Sequence, residues 1–289
     1  MLAVFYIGLR FTHFAALMMV FGCTLYAVWW APSSLRTLFI QRFAYWVRGG
    51  LTLSALSTLL MFVVQGGLMG NGWADTWRPV IWQAVVHTQF GQLWLWQIIL
   101  AWVAFAIVWQ QSPQSMHWVL WLCIAQFILL AGIGHTAIHE GLLGTLHHIN
   151  QSLHLLCASA WVGGLLPFLY CLQLSKGQWR HLAIMTMMRF SRYGHIAVAG
   201  VIVSGLINAW LIQGGLTLST PYGRWLWIKC GGVVFMVSIA LFNRYGLVPH
   251  MSTGKPHLLQ LFIRTTQCEV IIGALVLACV SLFATWEPF

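Results

Sequence analysis

Long apolar segments alternate with short polar connections along almost the whole chain. Windows of about twenty apolar residues, the length that crosses the hydrocarbon core of a bilayer, predict membrane-spanning helices. Eight such windows occur, at about 2–31, 45–67, 91–110, 117–134, 150–174, 191–213, 224–245 and 266–285. Within the fifth window, Pro167 predicts a kink or a local unwinding. The pattern as a whole predicts an all-α membrane protein, organised as a single polytopic domain over residues 1–289.

The composition favours the same class of protein. Apolar residues make up 60% of the chain, and the charged residues are only 14 Lys and Arg with 4 Asp and Glu. In hydrocarbon the backbone has to satisfy its own hydrogen bonds, which helices do. A net charge of +10 is compatible with nucleic-acid binding, but the basic residues are spread among connections between the apolar segments. We therefore expect contact with membrane lipid and none with nucleic acid.

The basic residues favour one end of the predicted bundle. Ten of the fourteen fall in or beside the connections after the first, fifth and seventh segments: Arg36, Arg42, Arg48, Lys176, Arg180, Arg189, Arg192, Arg244, Lys255 and Arg264. By the positive-inside rule, this end is cytoplasmic. Both termini are then predicted to lie on the outer, periplasmic side, together with the connection between the fourth and fifth segments.

Histidines are concentrated in that connection and in the start of the fifth segment. Five of the twelve lie between residues 135 and 154. His147, Asn150 and His154 are spaced i, i+3, i+7, so a continuous helix places them on one face. An imidazole near hydrocarbon needs a partner, a proton or a metal. We therefore expect His135, His147 and His154 to form a metal site on the outer side.

A further histidine lies deep in the first segment. At 1.5 Å per residue, His13 lies about 16 Å from the start of the helix, near the bilayer midplane. An ionisable side chain at that depth indicates a functional site, so His13 is also a candidate metal ligand. Met18 and Met19 follow on the same helix and could supply thioether ligands. The alternative for His13 is a neutral imidazole bonded to a helix carbonyl.

Other polar residues are secondary candidates near the same site. They are Glu140, Asn150, Asn208 and Lys229. Lys229 can either line the cavity that holds the histidines or extend its ammonium group toward the membrane interface. For single loop histidines such as His139 and His148, we expect solvation rather than metal binding.

The chain carries no motif for nucleotide-driven chemistry. It has no P-loop, no HExxH, no GxSxG and no glycine pattern for nucleotide binding. Its seven cysteines include no CxxC pair and indicate no disulfide framework. These absences favour a transporter without ATPase activity, or a metal-binding protein, over an enzyme.

Several segments resemble the CopD family of bacterial inner-membrane copper-resistance proteins. The clearest are 154–167 (HLLCASAWVGGLLP), 189–192 (RFSR), 204–208 (SGLIN), 222–229 (YGRWLWIK) and 243–245 (NRY). The resemblance is strongest over residues 150–289 and weaker through 10–14 (RFTHF) and 65–70 (QGGLMG). It implies a multi-pass protein of the bacterial inner membrane that acts in copper homeostasis. It also implies a separate CopC-like periplasmic copper-binding protein as partner.

Three functions remain open at this point. The first is copper binding at the outer histidine site, followed by passage into or across the membrane. The second is a haem b or quinone-linked oxidoreductase that acts on copper, with His13, His135 and His154 supplying the axial ligands of a haem. The third is a membrane anchor for a periplasmic copper-binding partner.

Overall fold

Ten helices form most of the computed structural model, which describes residues 1–110, 114–134, 139–215, 217–253 and 256–286. They are α1 (Leu2–Leu25), α2 (Ser33–Met69), α3 (Trp73–Thr76), α4 (Pro79–Val86), α5 (Gln89–Trp109), α6 (Ser115–Ala131), α7 (Gly141–Leu174), α8 (Arg180–Gln213), α9 (Pro221–Leu241) and α10 (Pro256–Phe283). A π-helical segment, Tyr26–Trp30, continues α1, and another, Phe242–Leu247, continues α9. These described ranges contain no β-strand.

The prediction of an all-α membrane protein with about eight spans is confirmed. Seven helices in the described ranges are long and apolar enough to cross a membrane, and α6 is a shorter apolar helix. Helices α2, α7, α8 and α10 begin about ten residues earlier than the apolar windows predict. An apolar window marks only the part of a helix that matches the hydrocarbon, whereas helical hydrogen bonding continues into polar surroundings.

The connection between α2 and α5 contains two short helices that the apolar windows did not predict. Pro79 begins α4, where its missing N–H removes no helical hydrogen bond. Ile81 and Trp82 then pack beside Gly66 of α2. At eight residues, α4 is far below the length of a membrane span, so a search for spans misses it.

Helices α1 and α7 form the centre of the bundle. Helix α1 packs against α2, α6, α7 and α10, and α7 packs against α1, α6, α8 and α10. In the most apolar stretch of α1, 78% of the residues are buried, compared with 11% in the corresponding stretch of α9. Helix α1 is therefore an interior helix, while most of α9 is left to face lipid.

The two central helices meet at Gly22 and Gly163. A methyl group added to either glycine would collide with the backbone of the other helix. Small residues permit such a close approach in membranes. Pro167 offers no N–H to the carbonyl of Gly163, four residues earlier, yet the helical backbone of α7 continues through it. Pro167 therefore does not unwind the helix.

The two ends of the bundle differ in character. At one end, which we call the terminal end, Leu2 lies beside the last turns of α2, and the rings of Tyr222 and Phe283 are 4.9 Å apart. At the opposite, basic end, Arg36 and Arg189 donate hydrogen bonds to carbonyls of the segment Tyr26–Trp30 at 3.0–3.1 Å. Cations are favourable at the carboxyl end of a helix. The side of the membrane that each end faces stays a prediction of the charge pattern.

Candidate functional site: an amphipathic cavity between five helices

A cavity of about 180 Å³ lies between α1, α7, α8, α9 and α10. On α7 its lining runs from His147 to Val162, and on α9 from Tyr222 to Met236, which is about four helical turns on each. The polar lining residues lie nearer the terminal end, and they are Arg10, His147, Gln151, His154, Asn208, Tyr222, Lys229 and Ser281. The deeper lining is apolar, so the cavity has one polar half and one apolar half.

A hydrogen bond to α8 fixes the ring of His154. Its Nδ1 lies 2.9 Å from Oγ of Ser204, and the Ser204 hydroxyl donates to the carbonyl of Gly200. Because the hydroxyl proton is used in that bond, we assign the ring proton to Nδ1, which donates to Ser204. Nε2 then carries the lone pair. Metal-binding histidines are oriented in this way by a bond from their other nitrogen.

His147 is completely buried and lines the polar half of the cavity. Its ring centroid lies 5.5 Å from that of His139, which directly precedes α7. The Nε2 of His139 donates to the carbonyl of Leu211 at 3.0 Å, so its lone pair is on Nδ1. The expectation that His139 is simply solvated is therefore wrong, because it is half-buried and packed on His147. His148 is likewise half-buried rather than solvated, and its Nε2 donates to the carbonyl of Ile128 on α6.

The histidines predicted to form one metal site occupy separate positions. His147 and His154 lie on one face of α7 and line one cavity, as their spacing predicts. Seven residues nevertheless separate them by about 10 Å along the helix. His135 lies outside the described residues. Within the described ranges, no three His, Cys, Asp or Glu side chains converge on one point.

A chain of side-chain amides joins α7 to α8 beside the cavity. Asn150 donates to the carbonyl of Ser204 and to Oδ1 of Asn208, both at 2.9 Å. Asn208 in turn donates to Oε1 of Gln151 at 2.7 Å. Asn150 thus lies between the two helices rather than on the cavity wall, while Asn208 and Gln151 line the cavity. The amides hold α8, and with it Ser204, in register with the histidines of α7.

Two cations line the polar half of the cavity. They are Arg10 of α1, whose guanidinium carbon lies 5.6 Å from the ring centroid of Phe14, and Lys229 of α9. Lys229 therefore takes the first of the two positions expected for it, on the cavity wall. In the described ranges neither cation has an acidic partner, since the one ion pair there joins Asp75 to Arg78. Glu140 is exposed at the start of α7 and does not line the cavity.

His13 belongs to a different buried network. Its Nδ1 lies 3.1 Å from Oγ of Ser57, and its Nε2 lies 3.2 Å from Nε2 of Gln97. Gln97 also donates to Gln126 at 3.3 Å, so the network links α1, α2, α5 and α6. All four side chains are almost completely buried. Both ring nitrogens of His13 are engaged there, and His13 does not line the cavity.

Of His13, His147 and His154, no two are placed to form the axial pair of a haem. His147 and His154 lie on the same helix and point the same way, so they cannot bind opposite faces of one iron. The two nitrogens of His13 are used elsewhere. Within the described ranges, His154 is the one residue of the proposed axial set that lines the cavity.

The polar residues around His154 were harder to find from the sequence than the histidines. By itself, neither Ser204 nor Gln151 indicates a function in the sequence. Ser204 lies one helical turn from Asn208 on α8, and Gln151 lies one turn from His154 on α7. Arg10 is easier to identify from the sequence as a functional candidate, because a cation inside an apolar segment is rare. Its place on the cavity wall follows only from the packing of α1.

Comparisons with known proteins cover nearly the whole chain. Residues 1–145 match the family "Copper resistance protein D-like, N-terminal domain", and residues 184–283 match "Copper resistance protein D". The chain is 49% identical to the "Inner membrane protein YebZ" of Escherichia coli K12 over the full length of both. No solved structure matches the chain.

Two further relatives carry copper in their names. The "Copper resistance protein D" of Pseudomonas syringae is 31% identical over 84% of this chain and 82% of its own length. The "Copper transport protein CutJ" of Bacillus subtilis is 28% identical over 94% of this chain but 51% of its own length. With its long apolar helices and its Escherichia coli relative, the chain is a multi-pass inner-membrane protein. It belongs to the copper resistance protein D family, as the resemblance predicted.

Proposed function

We propose that this protein acts in copper homeostasis by binding copper inside the membrane at two separate positions along one cavity, the imidazole of His147 and the imidazole of His154. Membership of the copper resistance protein D family supports the choice of metal. The observation that carries the proposal is the bond between His154 Nδ1 and Ser204, which leaves the lone pair of Nε2 available in a residue that lines the cavity. Imidazole suits both Cu(II) and Cu(I).

The order of ligands along the cavity indicates a path for copper. His139 and His147 lie nearest the terminal end, His154 follows two turns deeper, and the thioether of Met18 lines the deeper half. Thioether sulfur favours Cu(I) over Cu(II). We therefore propose that copper enters as Cu(I) and passes from the imidazoles to Met18 without a change of oxidation state. His13 is assigned to helix packing, because its nitrogens are engaged with Ser57 and Gln97.

A copper-to-protein ratio tests the site directly. Purified protein is loaded with Cu(I) under ascorbate, freed of excess metal, and its copper is measured by elemental analysis. We expect the double variant His147→Ala/His154→Ala to lose most of its bound copper. His148→Ala is the matched control, because this neighbouring histidine does not line the cavity and bonds to α6. An unchanged ratio in the double variant would defeat the proposal.

The proposed donor is a separate periplasmic copper-binding protein of the CopC type, which delivers copper at the terminal end. Transfer from such a loaded donor to this protein in lipid nanodiscs should slow when His139 and His147 are replaced by alanine. If the donor binds equally well and no copper moves even to the unaltered protein, the membrane-anchor function is favoured instead.

A further inference from the structure

Two cations line the cavity, and no described acidic side chain pairs with either of them. Arg10 and Lys229 reach it from different helices, and within the described ranges neither side chain forms an ion pair or a hydrogen bond. Lys229 is close enough to His154 to interact with it electrostatically, and Arg10 is similarly close to Tyr222. Two cations inside a membrane protein are costly unless a partner of opposite charge is bound beside them.

The shape of the cavity indicates the rest of the ligand. Beyond the polar half, the lining continues for two turns through apolar residues such as Trp161, Val233 and Met236. The volume of about 180 Å³ is more than ten times that needed for one water molecule. A small inorganic anion would fill the polar half and leave the apolar half without a partner.

We propose that the cavity binds an amphipathic anion, an apolar molecule that carries a carboxylate or phosphate group. Arg10 and Lys229 hold the anionic group, with Asn208 and Tyr222 as further polar residues in the same half of the cavity. The apolar body extends toward Trp161 and Met236. This site rests on the cavity itself and not on copper binding, although a bound anion would also offset the repulsion between the two cations and a metal at His154.

Two sources can supply this chemistry. One is an anionic lipid or fatty acid of the surrounding membrane, and the other is a tetrapyrrole with carboxylate side chains. The mass of the ligand that co-purifies distinguishes them, and a tetrapyrrole also shows a strong absorption band in the visible range. Either identity supports the proposal, because both carry the anionic group on an apolar body.

Native mass spectrometry of the detergent-solubilised full chain provides the test. The protein is first treated with a chelator and washed free of copper, and it is then titrated with oleate or with methyl oleate. The two probes differ in a single carboxylate charge. We expect oleate to bind in a 1:1 complex and methyl oleate to bind roughly tenfold to a hundredfold more weakly. Equal binding of the two probes would overturn the proposal without any variant having to fold.

Variants locate the binding to the cavity. Arg10→Gln and Lys229→Gln should each weaken oleate and leave methyl oleate unchanged, so that the preference for the acid is reduced. Arg224→Gln is the matched control, because Arg224 is an exposed cation on the same helix as Lys229 and does not line the cavity. If all three variants keep the full preference for oleate, the anion does not bind between Arg10 and Lys229. Since no metal is present, failure of the copper proposal leaves this result unaffected.

Discussion

The Nδ1 atom of His154 lies 2.9 Å from the Oγ atom of Ser204, and this contact joins α7 to α8 at the cavity wall. The bond defines which nitrogen of the ring is available to a ligand, since the hydroxyl of Ser204 already donates to Gly200. An imidazole oriented by such a bond is prepared for metal binding without a change of tautomer. The contact therefore connects the packing of two helices to the chemistry of the site.

Removing that hydroxyl should weaken copper binding without removing a ligand. In Ser204→Ala, His154 loses the group that orients its ring, and we expect copper affinity to fall about tenfold to a hundredfold. Competition with a chromophoric Cu(I) chelator measures the affinity. Ser152→Ala is the control, because the Ser152 hydroxyl donates to the backbone of α7 away from the cavity. Equal losses in the two variants would show that the bond to His154 has no special role.

The crossing of α1 and α7 should tolerate no added methyl group. Gly163→Ala forces α7 away from the backbone of α1, and we expect a loss of about 1–3 kcal/mol in the free energy of unfolding. The midpoint of thermal unfolding in detergent reports the change. Gly8→Ala on α1 has nothing within 4 Å and should be neutral or slightly stabilising. A Gly163→Ala protein as stable as Gly8→Ala would contradict the crossing described here.

The hydrogen-bond network around His13 should contribute to the stability of the fold rather than to copper binding. Gln97→Leu leaves His13 Nε2 and Gln126 without their donor, which should cost about 1–2 kcal/mol of stability. Thermal unfolding and the copper-to-protein ratio are measured on the same preparation. Gln92→Leu, at an exposed position of α5, serves as control. If folded Gln97→Leu protein loses its copper, His13 belongs to the copper site after all.

The terminal end is predicted to face the periplasm. The basic residues cluster at the opposite end, which the positive-inside rule assigns to the cytoplasm. Alkaline phosphatase fused after Phe289 should therefore be active, and green fluorescent protein fused at the same point should not fluoresce. The reverse pattern would invert the proposed direction from which copper reaches His147.

The spans of this protein could be predicted from the sequence because hydrocarbon thickness sets a minimum apolar length. The same rule could not find the early starts of α7 and α8, where polar residues continue the helix beyond the hydrocarbon. It also missed α4, whose eight residues pack on α2 without crossing the membrane. The membrane-spanning part of a helix can thus be predicted from one apolar segment, whereas the positions of its ends depend on the surroundings that each end contacts.

The candidate site was predictable only where its residues share one helix. The spacing of His147 and His154 predicts a common face, and both line the cavity. The sequence could not assign His13 and Arg10 to different surroundings, although they are three residues apart on α1. Arg10 lines the cavity, while His13 contacts α2 and α5. Which helix covers each face is decided by packing between distant segments, and the same holds for Ser204 and His154.

Imidazoles of α7 are proposed to hold copper in the cavity. X-ray absorption at the copper edge of the Cu(I)-loaded protein tests this proposal most directly, because imidazole rings give a characteristic multiple-scattering pattern. We expect that pattern in the unaltered protein and in His148→Ala, and its loss in His147→Ala/His154→Ala. A shell of sulfur alone, or an imidazole pattern that persists in the double variant, would contradict it.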